Sequence, residues 1–154
     1  MCIRDRGKGS LYNLFPGGKA EMAACVLAEI DAWFEANLYA PLREADPPAQ
    51  AVSAMFDAVE AYFRSGRRVC LVGVVALGSE RERFAEAVQS YFARWVAALA
   101  DALKRSGRDD AASVALAEEV VAQIQGAIVL ARALGEPALF SRAMTALRAR
   151  VAAI

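Results

Sequence analysis

Apolar residues return every three to four positions along almost the whole chain, and no stretch sustains the period-two alternation of a half-buried strand. That spacing predicts an all-α fold. Gly17 and Gly18 precede a run in which Met22, Val26, Ile30, Trp33, Phe34 and Leu38 share one helix face, and Pro41 is expected to end it. Asp46 is the expected N-cap of the next helix, with Pro47 at its first position and Val52, Met55, Phe56, Val59 and Phe63 as its stripe before Ser65-Gly66. Val69 to Leu77 is apolar nearly all round and reads as a short, fully buried helix. Its β-branched Val69, Val72, Val74 and Val75 leave a buried strand open as the alternative. Ser79-Glu80-Arg81-Glu82 has the pattern of a capping box ahead of Phe84, Val88, Tyr91, Phe92, Trp95, Leu99 and Leu103, with Gly107 as the break. Asp109 and Asp110 suit the start of a helix carrying Leu116, Val120, Ile124, Ile128 and Leu134 up to Gly135. Pro137 then opens a last one through Leu139, Phe140, Met144, Leu147 and Val151.

A chain of 154 residues with 57% hydrophobic content makes a single domain with a sizeable core. Its longest uncharged runs, Val69 to Ser79 and Val120 to Ala131, fall short of the roughly 18 apolar residues of a membrane span, so no membrane is expected. No signal-peptide pattern opens the sequence, and a cytoplasmic address is the default expectation. Cys2, Cys25 and Cys70 are odd in number and widely spaced, which fits neither a disulfide framework nor a C-x-x-C metal site. Histidine is absent, and with it go Ser-His and Cys-His nucleophile pairs and H-E-x-x-H metal sites. No paired acid and base and no glycine-rich phosphate loop takes their place, so neither enzymatic activity nor a cofactor is expected. Charge is uneven: residues 1–19 hold four basic residues against one acidic, 4 − 1 = +3, and the remainder carries 14 against 17, or −3. A basic end on a mildly acidic body fits either a polyanion contact or a solvated tail.

The segment Gly9-Ser10-Leu11-Tyr12-Asn13-Leu14-Phe15-Pro16-Gly17-Gly18-Lys19-Ala20-Glu21-Met22 resembles the recognition helix and following linker of TetR/AcrR transcription regulators. In that family a short helix with S-L-Y and an aromatic-proline turn lead into a long helix. Cys70-Leu71-Val72-Gly73 and the later run Gln123-x-Gln125-Gly126-Ala127-x-x-Leu130-Ala131-Arg132 are similar to the subgroup with an LmrA/YxaF-like C-terminal domain. The resemblance covers residues 7 to 154. It implies a remnant of a helix-turn-helix head and connecting helix over 7–40, and a ligand-binding and dimerisation domain over 41–154. The family places two helices before the recognition helix, and only six residues precede Gly7. The chain is therefore expected to be N-terminally truncated, with 1–6 a non-native leader.

By the same resemblance, Lys8, Ser10, Tyr12 and Lys19 are candidates for gripping DNA phosphates, Lys19 beside a helix N-terminus whose amides favour an anion. A ligand-responsive repressor acting on operator DNA as a homodimer is the function implied. A helical small-molecule-binding or dimerisation module without a DNA role is the alternative. Phe56, Phe63, Leu71, Phe92, Trp95 and Gln123 are candidate walls for a planar, mostly apolar effector, with plain core packing the rival account of each. Gly126, Ala127, Leu130, Ala131, Ala143 and Leu147 are candidates for a two-fold dimer interface, because small residues allow helices to approach closely. Packing within the chain explains them equally well.

Overall fold

A computed structural model describes residues 15–153, and every described element is helical. Helix α1 (Lys19–Phe34) runs through a π turn (Glu35–Tyr39) into α2 (Ala40–Glu44). After it come α3 (Pro48–Tyr62), a 3-10 turn (Arg64–Gly66), α4 (Leu71–Leu77), α5 (Ala85–Arg105), α6 (Asp110–Leu134) and α7 (Ala138–Ala152). The longest helices, α5 and α6, pack on one another, α7 lies against α6, and α3 closes the core against α5 and α7.

Pro41 does not end the first helix. Proline has no N–H to give the carbonyl four residues back, and its ring crowds that carbonyl. The chain meets this by widening its turn just upstream: the Ala40 amide donates to the Glu35 carbonyl, five residues back, and the helix resumes through Pro41 to Glu44. At the end of α2, Arg105 of α5 donates to the carbonyl oxygens of Ala45, at 3.0 Å, and Leu42. Those bonds satisfy acceptors that the terminating helix leaves free.

Two expected caps are not formed. Asp46 offers no side-chain cap to α3; extended Pro47 precedes it and Pro48 occupies the first turn, where a missing N–H costs nothing. Ser79 to Phe84 is a run of turns, not a capped helix start. Glu80 and Glu82 pair with Arg83 and Arg81 in solvent, and α5 begins at Ala85 behind an uncapped Phe84. The cap of α6 forms as expected: Asp109 Oδ2 accepts the Ala112 amide at 3.1 Å, and Gly135 closes the helix at φ 63°.

The apolar stripes of the long helices become one core centred on Trp95, whose surface is fully enclosed. Its ring lies 5.4 Å from that of Phe34, and Nε1 faces Met55 Sδ at 3.5 Å. Phe34 also meets Tyr62 and Tyr91 edge-on at 4.8 and 4.9 Å, which ties the end of α1 to α3 and α5. The second stripe is buried throughout, from Val52 to Phe63. The segment Val69–Leu77 is a helix from Leu71 onward, not a strand, yet it is not fully buried. Cys70 and Val72 face the core, while Val74 is 54% and Leu77 87% exposed. A seven-residue helix on the rim can turn only one narrow face inward, so an all-round apolar pattern leaves the other face in water. Helix α6 is long and apolar enough to cross a bilayer by composition, and 44% of its most apolar 18-residue window is buried against the core.

Candidate functional site

Helices α1, α4 and α5 line a half-open cavity of about 270 Å³. Leu27 and Ala28 of α1 form one wall, Val72 of α4 the back, and Phe84 and Tyr91 on the α5 side the other. Asp31 and Arg94 also line it, and they carry its charge. Arg94 on α5 pairs with Asp31 on α1, reaches Glu35 Oε2 at 2.9 Å and Ser90 Oγ at 3.0 Å, and lies over the Tyr39 ring at 5.3 Å. One side chain thus holds two successive turns of the first helix against the body. Glu35 pairs in addition with Arg43, and that guanidinium first, then Arg94, holds its carboxyl below the usual range. Behind this cluster burial pushes the Tyr39 hydroxyl far up, and its proton is donated to the Tyr91 carbonyl at 3.0 Å.

A second concavity, about 440 Å³, lies between α4 and α6, with Val69, Val74 and Leu77 on one side and Gly126, Val129 and Ala133 on the other. At its base the two segments Cys70–Gly73 and Gln125–Gly126 meet. Cys70 Sγ accepts the Gly73 amide at 3.4 Å and so caps α4. A Cβ on Gly73 would stand 2.8 Å from Gln125 Oε1, so the bare glycine leaves room for that amide in its present rotamer. Burial raises the Cys70 thiol's pKa, and the Gly73 amide and the Gln125 and Tyr91 side chains beside it pull it partly back. The Tyr91 hydroxyl and the Gln125 amide nitrogen are buried beside that thiol and, among the described residues, have no oxygen or nitrogen partner within hydrogen-bond distance. A third cavity, about 380 Å³, opens between α3, α5 and α7 beside Val52, Phe56, Leu103 and Arg148.

The sequence-based ligand candidates scatter over these features. Phe56, Phe63 and Trp95 are fully enclosed in the core, and of the six only Phe56 borders one of the three cavities described. Phe92 is partly buried and packs on Tyr91 at 4.9 Å. Leu71 is exposed, and so is Gln123, which donates to Glu119 at 3.0 Å. The sequence points to neither Asp31 nor Arg94, and it names Tyr91 only in a helix stripe and Gln125 only within a family-like motif. Their other signals were Asp31 and Glu35 four apart on one helix, a lone arginine amid the apolar run of α5, and a second glutamine two places after Gln123.

Of the interface candidates, Gly126 and Leu130 are exposed, whereas Ala127, Ala131 and Leu147 are buried within the chain and Ala143 is partly so. Of the DNA candidates, Lys8, Ser10 and Tyr12 lie outside the described residues. Lys19 is exposed at the first position of α1, where Glu21 Oε2 already accepts the Gly17 amide at 2.6 Å. An anion arriving there would meet that carboxylate.

The family model described as "Transcriptional regulator LmrA/YxaF-like, C-terminal domain" matches residues 48–146, from the first residues of α3 into α7. The chain belongs to this branch of the TetR family. The HTH-type transcriptional regulator LmrA of Bacillus subtilis (strain 168) is 24% identical over 136 residues, covering 84% of this chain and 72% of that protein. No solved structure matches. Within this TetR-family chain, the two segments similar to the LmrA/YxaF-like subgroup, Cys70–Gly73 and Gln123–Arg132, meet where Gly73 faces Gln125.

Proposed function

We propose that this TetR-family chain is the effector-binding and dimerisation part of a ligand-responsive repressor, cytoplasmic and acting on operator DNA as a homodimer. The observation that carries this reading is α1. It follows directly on the segment that resembles a recognition helix, and its Leu27, Ala28 and Asp31 form one wall of the α1–α5 cavity. A molecule with different affinities for two positions of that wall would bias the position of whatever precedes it. In this reading residues 7–40 belong to the DNA-reading part and its connecting helix, and 41–154 to the ligand-binding and dimerisation body. Lys8, Ser10, Tyr12 and Lys19 contact phosphates. Leu130 and Gly126, exposed on α6 beside Val129 and Leu134, form the centre of the two-fold interface.

The test joins the chain to a complete helix-turn-helix head and measures anisotropy with duplexes selected from a random pool. A near-palindromic preference that survives 200 mM salt is expected, with Lys19→Ala weakening every sequence alike. Binding that depends on salt alone, with no sequence preference, would refute the regulator reading.

A further inference from the structure

We propose that the α1–α5 cavity takes a small lipophilic cation, which pairs with Asp31 and releases it from Arg94. This deepens the effector reading above and rests on it for its biological consequence. Among the described residues Asp31 has a single ion-pair partner, Arg94, whereas Arg94 has two, Asp31 and Glu35, and Glu35 in turn has Arg43. A cation that takes over Asp31 leaves every charge paired: Arg94 keeps Glu35 at 2.9 Å and Ser90 at 3.0 Å, and Glu35 keeps Arg43. An anion that takes over Arg94 strands Asp31 beside a second negative charge. A neutral molecule gains neither contact and leaves the existing pair in place. The walls point the same way, since Leu27 and Val72 are apolar and Phe84 and Tyr91 are aromatic.

The site is also placed to act. Among the residues of α1, only Leu27 and Phe34 are buried, so ahead of Phe34 the helix is lightly held and the Asp31–Arg94 pair is one of its ties to α5. Separating Asp31 from Arg94 therefore loosens the first helix on the side of the cavity while the Glu35 contact keeps the π turn in place.

The test uses the chain as it is, labelled with nitrogen-15. It is titrated separately with phenyltrimethylammonium, its uncharged look-alike 2-phenylpropan-2-ol, and benzenesulfonate. The expected result is that the ammonium shifts the amide signals of Leu27, Ala28, Val72 and Ala87 and binds about tenfold more tightly than the other two. Asp31→Asn should bring it down to their level. Asp31→Glu, which keeps the carboxylate, and Glu29→Gln, on exposed α1 surface, should retain the preference. Equal or tighter binding of the alcohol or the sulfonate overturns the proposal. So do shifts confined to another part of the molecule, survival of the preference in Asp31→Asn, or no binding by any of the three. None of these outcomes bears on DNA recognition, which is read by anisotropy, and failure there leaves the cation site standing.

Discussion

Gly66 sits at φ 89° just after α3, and a Cβ there would come within 2.6 Å of the Pro137 carbonyl oxygen and 2.7 Å of Phe140 Cβ. Gly107, at φ 100°, shares the left-handed conformation but has nothing within 4 Å of a Cβ. The pair separates two costs that a sequence shows as one. Gly107→Ala carries backbone strain alone and is expected to lose about 1 kcal/mol in urea unfolding, whereas Gly66→Ala adds a collision with backbone and should lose about 3 kcal/mol or more. Equal losses would mean that the α3–α7 junction yields more easily than its distances indicate. The same distinction explains what could be read in advance at this scale. Trp95 and Phe63 were recognisable as large apolar side chains on a helix stripe, but nothing in the sequence says whether such a ring meets a cavity or other rings. Gln123 and Gln125 differ by some 200° around α6, and which of them turns toward α4 depends on where α4 docks, a tertiary fact the sequence does not carry.

Helix ends show why local motifs are uneven guides. Asp109 and the Ser79-x-x-Glu82 pattern both match capping chemistry, yet only Asp109 makes its bond, to the Ala112 amide. A cap matters where packing brings the helix start to that residue. Helix α5 has its first inward side chains, Phe84 and Val88, only after a stretch of exposed charges. The structure therefore assigns Asp109→Ala a cost of about 1 kcal/mol and Ser79→Ala none beyond error, both measurable as shifts in melting temperature. A comparable loss at Ser79 would show that the box forms in solution. The periodicity of α3, α5, α6 and α7 is legible because each buries a continuous stripe over several turns, whereas α1 shows the same period but buries only Leu27 and Phe34. Helix α4 was legible as a helix but not in its burial, since composition cannot tell an apolar residue that is enclosed from one left on the rim. Pro41 was misread because the rule that proline stops a helix omits the alternative taken here, a wider turn upstream.

At the scale of the molecule, the exposed large apolar residues lie in or next to α4 and in the last turns of α6, with Val114 apart from them. Val74 and Leu77 of α4 lie across the 440 Å³ groove from Val129 of α6, and Leu130 and Leu134 are exposed on the same helix. In the proposed homodimer Leu130→Glu is expected to give a species of the 16.5 kDa chain mass in sedimentation with its helical circular dichroism intact. Ala127→Glu, which places a charge in the core, should unfold the chain instead. A Leu130→Glu protein that sediments at twice the chain mass would move the interface elsewhere. The π turn has a consequence of a different kind. An ordinary helix advances about 100° and 1.5 Å per residue, and the turn over Glu35–Tyr39 accommodates one residue more than an ordinary turn would. The azimuth of α1, as seen from the body, therefore carries a single residue of slack. Deleting one residue there would return Pro41 to an ordinary turn and carry α1 more than a quarter-turn round from its present bearing, drawing Phe34 out of the core.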